Sequence, residues 1–188
     1  MKISFTTLAA AIILGSLFLI AVGPACHKSG KAAGIQTLYD SLGGTTLVTD
    51  PANFGQTVDS GYLAIRTIVD TALLIIQADT LINNYFSIMV VEDTLHEAPT
   101  EFDKLSVNIS NFLASAAGAK DHPYNGPGLM TAHNPDSNAN IPAPVDSAAF
   151  NEFAYDLGLS AHQYRLSDQL ISQLGKLLYR YEGQVVKP

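Results

Sequence analysis

The sequence predicts an all-α fold built as one domain. Three observations carry this. Apolar residues recur at helical spacing in four long stretches, and no run alternates apolar with polar residues over a useful strand length. The chain has 188 residues, 47% hydrophobic and 14% charged, enough to fill one core.

The N-terminus stands apart from that domain. Met1-Lys2 gives a positive start, then "ISFTTLAAAIILGSLFLIAVG" runs without a charge and ends at "PAC". A basic start, an apolar run and a small-residue exit read as a signal peptide, residues 1–25. The run approaches the ~20 residues that span a bilayer, so a retained anchor helix is the rival reading. Cys26, the only cysteine, follows directly. The arrangement resembles a bacterial lipoprotein signal, in which that cysteine becomes the lipidated first residue; Pro24 departs from the usual pattern. Either reading places the domain in the periplasm or cell envelope, tethered to a membrane. "CHKSGKAAG", residues 26–34, is a small polar linker, and the domain occupies 35–188.

The helices follow in order. Ile65, Ile68, Val69, Ala72, Leu73 and Ile76 form one helical stripe, and Leu74 with Ile75 broaden it to a second buried side. The next helix carries Leu105, Ile109, Phe112, Leu113 and Ala116. A third carries Phe150, Phe153, Ala154, Leu157 and Ala161. A fourth carries Leu166, Leu170, Leu174, Leu177, Leu178 and Tyr181, with Ser167 as its N-cap and Gly183 as its stop. Between them lie long irregular stretches, at 45–62 and 87–101, of a length that is often functional.

Several chemistries are excluded by residue type. The formal net charge of −7, with no basic stripe, argues against nucleic-acid binding. No nucleotide-binding glycine loop, HExxH or GxSxG occurs. His27, His96, His122 and His162 have no partner at metal-ligand spacing and read as surface residues. "DSNAN", Asp136–Asn140, begins like a calcium loop but has Ile141 at its sixth position and Ser147 at its twelfth. It reads as an Asx-turn loop.

"YNGPGLMTAHNP", Tyr124–Pro135, is more specific. Pro127 suits a first helical turn, and Pro135 biases Asn134 out of the α region. The helix therefore runs from about Gly128 to His133, too short to persist alone. Either Leu129, Met130 and Ala132 pack it on the core, or a ligand held by the His133 imidazole stabilises it. The pattern leaves both readings open.

The order of motifs adds to this. "LYDSLGG" opens the domain, a helix with Asp70 ends in "LINNYF", and a helix ending "NFLASAAGA" follows. Then come "YNGPGLMTAH", "AAFNEFAYDL" and "LSDQLISQLGKLLYRYEGQVV". The series, residues 36–187, resembles the group 1 truncated haemoglobins. The resemblance implies a two-on-two helical sandwich with haem in the middle. It makes His133 the proximal iron ligand and lays Phe86 against the haem face. Leu73, Leu105, Ile109, Leu113, Tyr124, Leu129 and Met130 would complete the slot. The implied ligand is a diatomic gas: oxygen, nitric oxide or carbon monoxide.

The departures fall on the gas side. Leu73 stands where the family has its distal tyrosine, and the family often has glutamine at one of the positions held here by Leu105 and Ile109. An apolar distal pocket follows, with no donor for bound dioxygen, a bond worth ~1.5–3 kcal/mol when the acceptor is charged. A polar group from the long loops, such as His96, could replace it. No flavin or nicotinamide domain accompanies the chain, so redox turnover such as nitric oxide removal would need a separate electron donor. The alternative is a helical interaction module that has lost haem.

Overall fold

Thr37 and Asp40 cap the first helical turn reciprocally. The Thr37 hydroxyl accepts from the Asp40 N–H at 3.0 Å, and the Asp40 carboxylate accepts from the Thr37 N–H at 2.9 Å. Donors that a helix start leaves unpaired are thereby satisfied. The structure, a computed structural model, describes residues 36–87 and 101–187. The signal segment, Cys26, the 26–34 linker, His96 and most of the 87–101 stretch lie outside the described residues.

The capped turn, α1 (Leu38–Ser41), buries Tyr39 and ends in the paired glycines of "LYDSLGG". Gly43 and Gly44 both take positive φ, +120° and +55°. The Gly44 carbonyl accepts from Gly61 N–H at 2.9 Å. A Cβ on Gly61 would meet the Tyr39 ring at 2.9 Å and the Gly44 nitrogen at 3.0 Å. Glycine is therefore required at 61 by close approach.

The stretch 45–62, expected as irregular, holds a small antiparallel hairpin. β1 (Leu47–Thr49) pairs with β2 (Thr57–Asp59) in the register Leu47 to Asp59, Val48 to Val58 and Thr49 to Thr57. Leu, Val and Thr suit the ladder, but three residues are too few to show alternation. Asp50 organises the tip: its carboxylate accepts from Ala52 N–H and from the Asn53 amide, each at 2.8 Å. Gly55 closes it at φ +80°. The hairpin base is tied down by Asp59, which accepts from the Tyr39 hydroxyl at 3.0 Å. Asp59 also lies 3.3 Å from His122 Nε2, and the His122 ring stacks on Tyr62 at 4.1 Å. His122 is thus half-buried and partnered, while His162 is exposed.

α2 (Ser60–Ala78) buries the full predicted stripe from Ile65 to Ile76. Its flank is a correction: Leu74 is 59% exposed, so the broadening does not bury a second side there. A 3-10 turn, Asn83–Phe86, follows. α3 (Glu101–Ala117) faces α2 with small residues, Ser106, Ser110, Ala114 and Ala117, which allow close approach. Ser106 hydrogen-bonds Asp70, which also holds Arg66 at 3.0 Å.

The short helix α4 (Leu129–Ala132) has Gly128 and His133 as its caps. α5 (Ser147–Gln163) begins at Asp146, whose carboxylate accepts from Ala149 N–H at 2.8 Å. Its buried Ser160 hydroxyl donates to the Ile68 carbonyl of α2 at 2.6 Å. α6 (Asp168–Tyr179) is capped by Ser167. It ends before Gly183, contrary to expectation. A further turn, α7 (Glu182–Val185), takes up Gly183 and buries Val185. α2 packs on α3 and on α5, and α5 packs on α6. Two helix pairs thus share one core.

Candidate cofactor site

On one side of that core the helices separate around a cavity of about 330 Å³. The size lies within the ~300–1,000 Å³ range of small-molecule and cofactor pockets. α3 supplies Leu105, Ile109, Phe112 and Leu113. The 3-10 turn supplies Tyr85 and Phe86, and α5 supplies Phe150 and Phe153. α4 and its cap supply Leu129, Ala132 and His133, and Tyr181 and Val185 close the far end.

The aromatic walls hold one another. Phe86 and Phe153 lie nearly parallel, 6.3 Å apart. Phe112 meets Tyr124 edge-on at 5.5 Å and Tyr181 edge-on at 4.9 Å. Such geometries suit the quadrupole of each ring and stiffen the wall.

His133 is the polar centre of the cavity. Its Nδ1 lies 2.9 Å from the Leu129 carbonyl oxygen. A carbonyl can only accept, so Nδ1 carries the proton and Nε2 keeps its lone pair. Burial holds the ring's pKa below the ordinary imidazole value, with the Leu129 bond opposing that shift. At neutral pH the ring is neutral, the form that ligates a metal. Asn138 steadies the helix end, its amide donating to the Ala132 carbonyl at 2.7 Å.

The other polar groups are occupied with backbone. The Tyr124 hydroxyl donates to the Pro127 carbonyl at 2.8 Å, and the Tyr85 hydroxyl to the Pro144 carbonyl at 3.1 Å. Burial pushes both phenols' pKa values up. Each therefore remains a protonated donor with a fixed acceptor. Glu101, Lys104 and Asn108 add polar character to the lining, and Glu101 and Lys104 form an ion pair.

Phe86, Leu105, Ile109, Leu113, Tyr124, Leu129 and His133, singled out from the sequence, all line this cavity. Leu73 and Met130 do not. Leu73 is 1% exposed, packed in the core, where the α2 stripe meets other helices. Met130 is 57% exposed, on the outward side of α4. Phe112, Phe150 and Phe153 belonged to the helical stripes and could have been chosen from them. Tyr181 belonged to the fourth stripe in the same way, whereas Ile82, Tyr85, Ile141, Val145 and Val185 carried no such signal.

A neutral imidazole with one fixed nitrogen, set among flat apolar walls, fits a large planar metal-bearing cofactor. The fold has solved counterparts. The chain is similar to truncated hemoglobin from Tetrahymena pyriformis in its iron(III) form, with a TM-score of 0.58 and 16% identity. The match covers 81% of this chain and 100% of that one. Two single-residue variants of the same protein match over the same shares, each at a TM-score of 0.57 and 16% identity. The fold is a truncated globin's. At this identity the likeness is one of architecture, an all-α two-on-two sandwich with insertions. No protein-family model and no curated protein matches the chain.

Proposed function

We propose that this domain binds haem through His133 and takes up a diatomic gas, oxygen, nitric oxide or carbon monoxide. His133 carries the reading: a neutral ring, its Nδ1 committed to Leu129, lining an aromatic-walled cavity. Haem would supply iron for the gas. The chain's own residues supply a fixed nitrogen ligand, apolar walls that exclude water, and Phe86 and Phe153 as a flat face. The globin-like architecture and the group 1 order of motifs support the same reading.

The gas side is that of Leu105 and Ile109, which offer no hydrogen bond. The nearby tyrosine hydroxyls are held by backbone carbonyls. With no donor from Leu105 or Ile109, dioxygen held on that side would escape faster than from a site that offers one. Carbon monoxide and nitric oxide lose less. The domain is a gas-binding or redox haem protein rather than a tight oxygen store, and turnover would draw on a separate electron donor. We further infer that residues 1–25 export it and that Cys26, or the retained apolar segment, anchors it to a membrane.

The absorption spectrum of the protein supplied with haem tests the reading. A Soret band is expected, lost or strongly altered in His133→Ala while the helical circular dichroism persists. A wild-type protein that stays colourless and folds equally well without haem overturns it. The helical interaction module then takes its place.

A further inference from the structure

Away from the cavity's histidine, three carboxylates converge where α2 ends beside α5. Asp79, Glu152 and Asp156 each place one carboxylate oxygen within 4.8 Å of the other two. Asp79 is the C-cap of α2, and its Oδ1 accepts from Leu81 N–H at 2.8 Å. That bond fixes the carboxylate and leaves Oδ2 buried with no hydrogen-bond partner among the described residues. Asp156 is 3% exposed, and its Oδ2 has no partner either. Glu152 stands one turn before Asp156 on α5. Among the described residues no Lys, Arg or His pairs with any of the three.

Such an arrangement is costly as it stands. Buried polar atoms normally have partners, and like charges one helical turn apart repel. The C-terminus of α2 adds its own partial negative charge at Asp79. Positive charge is what the place lacks. Three hard oxygen donors with no nitrogen or sulfur select a hard cation. Ca²⁺ takes carboxylate oxygens at ~2.3–2.6 Å in flexible geometry, so two of its ligands can stand up to ~4.6–5.2 Å apart, and the three oxygens here all lie within 4.8 Å of one another.

We propose that Asp79, Glu152 and Asp156 bind a calcium ion that clamps the end of α2 to α5. The buried, unpartnered Asp156 oxygen points the cluster to a ligand. The clamp lies behind the cavity wall: Ile82 follows Asp79 by three residues, and Phe153 adjoins Glu152. It stands whether or not His133 holds haem.

The test uses the full-length protein, stripped with EDTA and titrated with CaCl₂ at pH 7.5. Isothermal calorimetry and the melting temperature are the two readouts. One Ca²⁺ per chain is expected, with a rise of several degrees in Tm. Asp156→Asn and Glu152→Gln should each remain folded in EDTA and lose both signals. Absence of binding by the wild type, or Ca²⁺ binding that survives in both variants, overturns the proposal. So does a response to Mg²⁺ or Mn²⁺ with none to Ca²⁺.

Discussion

His133 donates its Nδ1 proton to the Leu129 carbonyl oxygen, 2.9 Å away and one helical turn back. The donor and acceptor belong to the same short helix and its cap. The ring is therefore oriented by the segment that carries it, and the other nitrogen is free to ligate.

This orientation has a pH signature. Burial lowers the His133 pKa from its ordinary value of 6.5. For a base with a depressed folded pKa, the contribution of the neutral form is complete above about 6.5 and is lost as pH falls through the folded value. Haem retention, followed by Soret absorbance, should be flat from pH 7.5 to about 6.5 and fall only below that. Loss that is already half complete at pH 6.5 would contradict the assignment.

Leu105→Gln should convert the gas side. If the new amide donates to bound dioxygen, a charge-assisted bond of ~1.5–3 kcal/mol slows dissociation roughly ten- to hundredfold. Carbon monoxide dissociation should change much less. Stopped-flow displacement measures both, and equal slowing of the two gases would refute the apolar account of the pocket.

Gly61→Ala places a methyl 2.9 Å from the Tyr39 ring and 3.0 Å from the Gly44 nitrogen. Overpacking of this kind costs about 1–3 kcal/mol. Urea denaturation should show a lower midpoint with an unchanged slope. Gly158→Ala, where a Cβ meets nothing within 4 Å, is the control and should be neutral or slightly stabilising.

Asp156 gives the opposite pH dependence in EDTA. Burial, then the charges of Asp79 and Glu152, push its carboxyl up from 3.8 to about 6. A raised acid favours the fold when protonated. The contribution is full below about 3.8 and is lost as pH rises through about 6. Asp156→Asn should therefore be more stable than wild type above pH 6, by about 3 kcal/mol at most. The difference should vanish near pH 4. Chemical denaturation across that range checks it, and saturating Ca²⁺ should reverse the ranking.

The sequence made the helices legible because their apolar stripes are long: Ile65 to Ile76 is buried as its spacing predicts. His133 stood out through the order of motifs, because the short helix bracketed by Gly128 and Pro135 left core packing and ligand binding both open; the structure sets it in the cavity lining. Periodicity could not tell which neighbour a buried residue faces. Leu73 faces helices and Leu105 faces the cavity, although both belong to apolar stripes. Asp79, Glu152 and Asp156 escaped notice for a related reason. Asp79 lies more than seventy residues before Glu152 in the chain, and only the crossing of α2 with α5 brings them together. The hairpin was missed because its strands are three residues long.

The closing wall of the cavity has a bearing on when the site can exist. Tyr181 and Val185 line it, and the Lys187 N–H donates to the Val145 carbonyl at 2.9 Å. A chain that reached only Leu178 would contain His133, Phe86 and Phe153 but lack the Tyr181 and Val185 side of the lining. The wall is complete only in a chain that extends through Lys187, so the proposed haem would be firmly enclosed only once that last segment has docked.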